Sequence, residues 1–591
     1  MMKNRIFLLT IPFLLLGLLL LAGGLLPFPR LAPVVNHLAA DGTLESFTPA
    51  LHRKLLPLLL TFGGLFTLLG AAPYVLPGFS HRLLARGAAA WRNLGSDSRS
   101  FFQALRRALP TGWQAAALAV IILAGVFARL VYLSRPMGHD ESYTVMAFAN
   151  TPLLNVLSDY HLPNNHIFHS LLVHASISLF GMAPWAVRLP ALLAGLLTIP
   201  TGYLFTRRVY GQSAALPAAA ALALFPALFD YATNARGYTL IALFTMLGLN
   251  LALYLKNHDN RLAWGLLVLV MALGFWTIPL MLYPAGLIWL WLLGSSLLKD
   301  GSLRPGRMLR QLILAGLALV LLTGALYLPV VLRSGPGYVF NNPFIAPLTW
   351  AEFRETFPVR MGEIWAGWSA GLPGWLVGLI VVGVGLSILL HWKIASHRLP
   401  IQLTAAAWLA AEMLIARPNP YTRYFIFMLP LFLVWAAAGW VSPLQHLPPL
   451  RWRWPLSRLV SSALTLFLII GGLARLQPDL GNMRPQPGEV EQMALYIVQH
   501  VQPGDVVIAT SPNDTSLWYY MALHHLPASA YFHSAENQPI RRAFVMVTLS
   551  DNQTLTSVLE EAHAPASLDP TQAEWLPFPD NNRLALIPAY P

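Results

Sequence analysis

The sequence predicts an all-α polytopic membrane protein that carries a small C-terminal α/β domain. Three observations lead there. Of 591 residues, 56% are hydrophobic and 11% charged, where a soluble protein carries about 25% charged residues. Apolar runs of roughly 20 residues, the length a helix needs to cross a bilayer, recur through the first 476 positions. Residues 477–591 have no such run and invert the charge: they hold 4 Lys+Arg and 12 Asp+Glu, against 34 and 13 in the rest. An outer-membrane barrel is excluded because its strands alternate apolar and polar residues. A nucleic-acid partner is not expected either. The net charge of +13 resolves into −8 in the tail and +21 in the apolar part, where basic residues report topology. The chain has no Cys, which excludes disulfides, thiolate catalysis and Cys-ligated metals.

In chain order, spans are expected near 6–27, 55–77, 114–134, 186–206, 214–232, 238–255, 262–278, 279–298, 311–333, 373–391, 401–416, 421–440 and 457–476, thirteen in all. The first run is too long for a signal-peptide core and lacks a small-x-small cleavage site, so it reads as an uncleaved span. Alternation then places 21 Lys/Arg and 3 Asp/Glu on the cytoplasmic side, against 11 and 9 in the outer loops. Much of that excess sits in a basic loop at 78–113. Residues 165–182 are apolar and helical but would break the alternation, and they contain three His. They fit an outward juxtamembrane helix at the interface. Three units follow: residues 1–113, an N-terminal two-helix hairpin with its basic cytoplasmic loop; 114–476, the membrane domain; and 477–591, a soluble extracytoplasmic domain. In the last, strands at Asp505–Ser511, Ala543–Leu549 and Leu584–Ile587 alternate with helices at Asn513–Leu526 and Gln553–Ala562, the pattern of an α/β domain. It carries no GxGxxG, P-loop or metal-ligand cluster.

Because charge is scarce, each polar cluster at the membrane edge is a candidate site, and all of them fall in the outer loops. Asp140-Glu141 follows the span at 114–134. The pair could serve as a base, a metal ligand or both. On a helix, adjacent side chains point ~100° apart, so the two carboxylates would do different tasks. Next come Asn164-Asn165-His166, with His169 one turn on and His174 beyond. His166 could take a phosphate, or share a metal with Asp140 or Glu141. Asp230–Tyr238 is a tight turn containing Arg236, whose planar guanidinium forks onto phosphate. Arg417–Tyr424 adds Arg417, Arg423 and Tyr424, and the 334–372 loop adds Asn341, Asn342, Glu352, Arg354, Glu355, Arg360, Glu363 and three Trp. Carboxylates and Arg together at headgroup depth suit a lipid-phosphate sugar. Phosphate is already a good leaving group, so such a site needs cations for it and a carboxylate to take the acceptor proton. A transporter or lipid-linked sugar flippase instead places ionisable groups at mid-membrane in repeated halves. Here only Arg129 and Glu412 lie clearly inside spans, and no internal repeat occurs.

These residues resemble the GT-C membrane glycosyltransferases, and in particular family 39, the dolichyl-phosphate-mannose-protein mannosyltransferase group that includes lipid A aminoarabinose transferases. Asp140-Glu141, Pro163–His166, Ala186–Ala191, Ala235–Tyr238 and Arg423-Tyr424 carry the resemblance, over roughly 114–440. It implies transfer of a sugar from a polyprenyl-phosphate donor to an acceptor hydroxyl, with inversion, at the outer face of a bacterial plasma membrane. It also implies Asp140 as catalytic base, with Glu141 shaping the site. Asn165, His166, Arg236, Tyr238, Arg417, Arg423 and Tyr424 become the donor-binding set. His166 stands where many members contact the donor phosphate through other residues. The acceptor class stays open among lipid, glycan and protein. No cofactor is required by the resemblance, while Asp140, Glu141 and His166 leave a divalent metal open. The nearest rival within the fold is an oligosaccharyltransferase or ligase using a pyrophosphate-linked donor.

Overall fold

The computed structural model describes residues 2–38, 48–75, 79–340, 346–446, 455–483, 487–526, 530–532, 539–578 and 580–590. Asn341 and Asn342 therefore lie outside the described residues. The chain opens with two long apolar helices, α1 (Met2–Leu25) and α2 (Pro49–Val75), which pack along each other. The basic loop expected at 78–113 is instead a 30-residue helix, α3 (Phe79–Ala108). Its polar and apolar residues alternate at helical spacing, which the count of charges concealed. Asp97 ties α3 to the bundle: its carbonyl accepts from Asn260 Nδ2 at 2.7 Å and its carboxylate from Arg261 N at 3.1 Å.

The membrane domain runs α4 (Trp113–Leu133), a short α5 (His139–Tyr143), α6 (Ile167–Phe180), α7 (Pro184–Tyr210), α8 (Gln212–Leu224), α9 (Pro226–Ala232), α10 (Tyr238–Leu255), α11 (Arg261–Thr277), α12 (Leu282–Leu297), α13 (Pro305–Arg333), α14 (Trp350–Ser369), α15 (Gly374–Leu389), α16 (Ile401–Ala416), α17 (Leu429–Val441) and α18 (Leu456–Arg475). Among the described residues seven helices are long and apolar enough to span, and nine if two bent pairs each count as one. That is fewer than the thirteen apolar runs. Two of those runs form helices of only 17 and 16 residues, α11 and α16, about 25 Å at 1.5 Å per residue. α6, at 14 residues, reaches about 21 Å against a hydrocarbon core of about 30 Å.

The α8–α9 pair bends by 56° at Phe225-Pro226. Pro226 has no N–H and cannot continue the ladder, which frees carbonyls at the end of α8. Arg129 of α4 takes them: its Nη1 donates to Ala223 O at 2.7 Å and to Gly125 O at 3.0 Å. A fully buried Arg with no carboxylate partner among the described residues thus sits at the negative end of a helix dipole. This gives the mid-membrane charge a structural role. α10 lies at the centre of the bundle, buried over nearly its whole length.

The tail adds α19 (Glu489–His500), α20 (Asp514–Leu523) and α21 (Leu555–Glu561) around four strands: β1 (Asp505–Ile508), β2 (Arg542–Thr548), β3 (Glu574–Trp575) and β4 (Asn582–Pro588). The sheet order is β1-β2-β4-β3, with β1 and β2 parallel and the other pairs antiparallel. The strand–helix alternation read from the sequence is present; α19 is an addition to it.

Candidate functional site

The site is built where α4 ends. Residues 134–138 turn the chain, and α5 then presents Asp140 and Glu141 in opposite senses. Glu141 turns inward and is 2% exposed. Its carboxylate takes four donors: Arg188 Nη2 at 2.5 Å, Arg188 Nε at 3.0 Å, Gly138 N at 2.9 Å and Ala235 N at 3.0 Å. Burial by itself would raise its pKa; the Arg188 guanidinium and these hydrogen bonds outweigh burial and hold it below the ordinary glutamate range. Arg188 of α7 also donates to the carbonyls of Leu133, Arg135 and Pro136. One buried ion pair thereby fixes the α4–α5 turn, α7 and the 233–237 loop to one another. Glu141 is 2% exposed, and both its oxygens are spent on these four donors.

Asp140 turns outward. Its carboxylate meets Arg423 Nη1 at 2.6 Å, and each side chain of the pair is 37% exposed. The two ion pairs differ in kind. A solvent-exposed pair contributes about 0.2–1 kcal/mol, so Asp140 and Arg423 can exchange partners at small cost. Breaking the buried pair beside them costs about 3–5 kcal/mol.

Beneath Asp140 lies Arg236, 4% exposed. Its Nη1 donates to Thr144 Oγ1 at 2.9 Å and to Asn164 O at 3.2 Å. Nε is buried and has no partner among the described residues. Nη2 faces His166 Nε2 at 3.4 Å, while the other ring nitrogen, Nδ1, accepts the Gly237 N–H at 2.9 Å. Burial, and then the charge of Arg236, holds His166 well below the ordinary imidazole range, so the ring is neutral. With Nδ1 accepting, its proton is on Nε2. Two donors therefore face each other, an arrangement that calls for an acceptor. Gly237 allows this approach: a Cβ there would fall 2.4 Å from Thr277 Cγ2 and 3.2 Å from His166. Tyr238 packs edge-on to His166, with centroids 5.0 Å apart, and the Arg236 guanidinium lies 5.8 Å from its ring.

Other expected residues are placed elsewhere. Asn165 donates to the carbonyls of Asp159 (2.7 Å) and Val156 (3.2 Å), tying its own loop together. Arg417 ends α16 in the left-handed conformation (φ 42°) and lays its guanidinium 5.1 Å from the Trp350 ring centroid. Tyr424 stands beside Tyr421, whose ring carries the guanidinium groups of both Arg423 (5.2 Å) and Arg360 (5.5 Å). The metal set of Asp140, Glu141 and His166 does not converge: the three go to Arg423, Arg188 and the Gly237–Arg236 pair. Among the described residues no three His, Cys, Asp or Glu could hold an ion.

The residue missed by sequence reasoning is Arg188 as partner of Glu141. Its signal was present, a charge two positions into an apolar run. A second omission is the tail. α20 docks on the residues just before Asp140: Tyr520 Oη accepts from Met137 N at 2.8 Å, Ser516 Oγ donates to Met137 O at 3.1 Å, and Asp514 lies 3.4 Å from His139 Nδ1.

This helical membrane bundle with an appended α/β domain has the GT-C fold, and the chain is a multi-pass membrane protein. ArnT from Cupriavidus metallidurans in the apo state superposes with a TM-score of 0.51 at 14% identity, covering 80% of this chain and 98% of that one. The form of that protein bound to undecaprenyl phosphate gives 0.50 at 15%, covering 81% and 98%. At this identity the likeness establishes the fold alone. Residues 164–327 match the dolichyl-phosphate-mannose-protein mannosyltransferase family, a stretch that begins at Asn164 and contains His166, Arg188 and Arg236. No curated protein matches the sequence significantly.

Proposed function

We propose that this chain is an integral-membrane glycosyltransferase that moves a sugar from a polyprenyl-phosphate donor to an acceptor hydroxyl at the outer face of the plasma membrane. The observation that carries the reading is the half-exposed Asp140–Arg423 pair standing over the buried Arg236–His166 donor pair. The undecaprenyl phosphate held by the structurally similar protein supports the donor class.

The residues divide the chemistry between them. The lipid phosphate competes with Asp140 for Arg423, and Arg236 and His166 supply further donors as the sugar–phosphate bond lengthens. Losing Arg423 to the phosphate frees the Asp140 carboxylate. The acceptor oxygen attacks the anomeric carbon, its proton passes to Asp140, and the C–O bond to phosphate breaks, releasing polyprenyl monophosphate. Attack opposite the leaving group inverts the anomeric centre. Glu141 and Arg188 hold the turn on which this depends.

The test is binding of polyprenyl monophosphate to the protein in nanodiscs, comparing wild type with Arg423→Ala and Arg236→Ala. Saturable binding, weakened about tenfold or more in each variant, is the expected result; charge-assisted hydrogen bonds to phosphate are of that size. Unchanged affinity in both variants, or preference for a pyrophosphate lipid, would overturn the assignment.

A further inference from the structure

At the end of the bundle away from Asp140, the first turns of α4, α8 and α18 enclose a small polar cavity of about 100 Å³. That is roughly three waters' share of liquid volume, at about 30 Å³ each. Its walls include Trp113 and Gln114 of α4, Gln212 and Ser213 of α8, and Arg458 and Ser461 of α18. α4 begins here and ends at Leu133, whose carbonyl receives Arg188. Its 21 residues separate this cavity from the Asp140 site by about 31 Å.

Three features of the cavity favour an anion. None of the three helices has a side-chain cap: Gly112, Gly211 and Pro455 precede them, and none of these caps an N–H. The unpaired N–H groups and positive dipole ends of three helices are thus gathered at one place. Arg458 makes no ion pair among the described residues, and residues 98–139, 160–229 and 413–478 contain no Asp or Glu. The third feature does not depend on helix ends. Gln114 is only 4% exposed, lines the cavity, and its side-chain amide makes no hydrogen bond among the described residues. A ligand with acceptor oxygens in the cavity would pair with the N–H groups of this amide.

We infer that this cavity is a phosphate-binding site, distinct from the Asp140 centre and on the opposite face of the membrane domain, that takes the phosphate of an anionic phospholipid headgroup or free phosphate. The guanidinium, the serine hydroxyls, the glutamine N–H groups and the open helix termini are all donors matched to a group with several acceptor oxygens. The following turns of α8 and α18, from Pro217 and Val460 onward, line an apolar cavity of about 780 Å³, where the chains of a lipid held by its headgroup can lie.

The full-length protein, delipidated in detergent, is titrated with dioleoyl phosphatidylglycerol, dioleoyl phosphatidylcholine or inorganic phosphate. Lipid adducts are counted by native mass spectrometry and the thermal shift is recorded. Arg458→Gln alters an exposed side chain and leaves packing intact; Gln114→Glu keeps the shape and places a negative charge in the cavity. Saturable phosphatidylglycerol binding, about tenfold weaker in both variants, supports the site with the lipid as its source. Stabilisation by inorganic phosphate, weakened likewise, supports it with free phosphate as the source. Equal binding in wild type and both variants overturns it. So does phosphatidylcholine held as firmly as phosphatidylglycerol with no response to phosphate, which would reduce the contact to apolar packing.

Discussion

Replacing Glu141 by Gln keeps the volume of the side chain and removes its charge, which isolates what the buried ion pair does. Glu141 uses both oxygens to accept from Arg188 Nε and Nη2, Gly138 N and Ala235 N. A glutamine offers one oxygen, and its NH2 must face donors that already point at it. The Arg188 guanidinium, itself fully buried, then loses its counter-charge. Removing one partner of such a pair costs about 3–5 kcal/mol, a large share of the about 5–15 kcal/mol that a folded protein has in hand. The expected outcome is a clear drop in thermal stability in nanodiscs. Protease sensitivity should appear first at residues 134–139, because the three carbonyls that Arg188 holds lie at 133, 135 and 136. The double variant Glu141→Gln with Arg188→Met removes the stranded charge and should recover part of the loss. In the wild type, the contribution of this carboxylate is complete above the ordinary glutamate pKa of about 4.3. It is lost only as pH falls through the lower folded value. A single variant as stable as wild type, or a double variant less stable than the single, would refute the reasoning.

The other expectations concern the site and its neighbours. Asp140→Asn should abolish sugar transfer while leaving polyprenyl-phosphate affinity within a few-fold, since the shape persists and the base is gone; retained turnover would remove Asp140 from its role. The His139 pKa is raised, chiefly by its hydrogen bond to Asp514, against the opposing effect of burial. Its protonated form therefore favours docking of α20, fully so below the ordinary histidine pKa of about 6.5, and this contribution fades as pH rises through the raised folded value. Hydrogen exchange at Asp514–Leu523 should quicken across that range in wild type and show no such pH step in His139→Ala. A tag after the C-terminus should react with a membrane-impermeant reagent from outside the cell. Protection there would reverse the orientation derived from the basic loops.

The sequence alone determined the membrane class and the strand–helix order of the tail, because lipid demands apolar length and a strand buried on both faces shows as a short apolar run bounded by turn residues, both local properties. It also determined that Asp140 and Glu141 must part company, since adjacent residues on a helix point about 100° apart. Tertiary structure decided which arginine each would meet. Arg188, Arg236, Arg417 and Arg423 are alike in composition and in predicted side of the membrane. Only packing sends the first to Glu141, the third to Trp350 and the last to Asp140. Packing likewise separated the three residues of the expected metal set, and ordered the basic segment at 79–108 as a helix by giving it Asn260 and Arg261 to bind. The docking of α20 on Met137 and His139 joins residues more than 370 positions apart. No periodicity within either segment encodes that contact; it exists because the folded tail and the end of α4 share one surface.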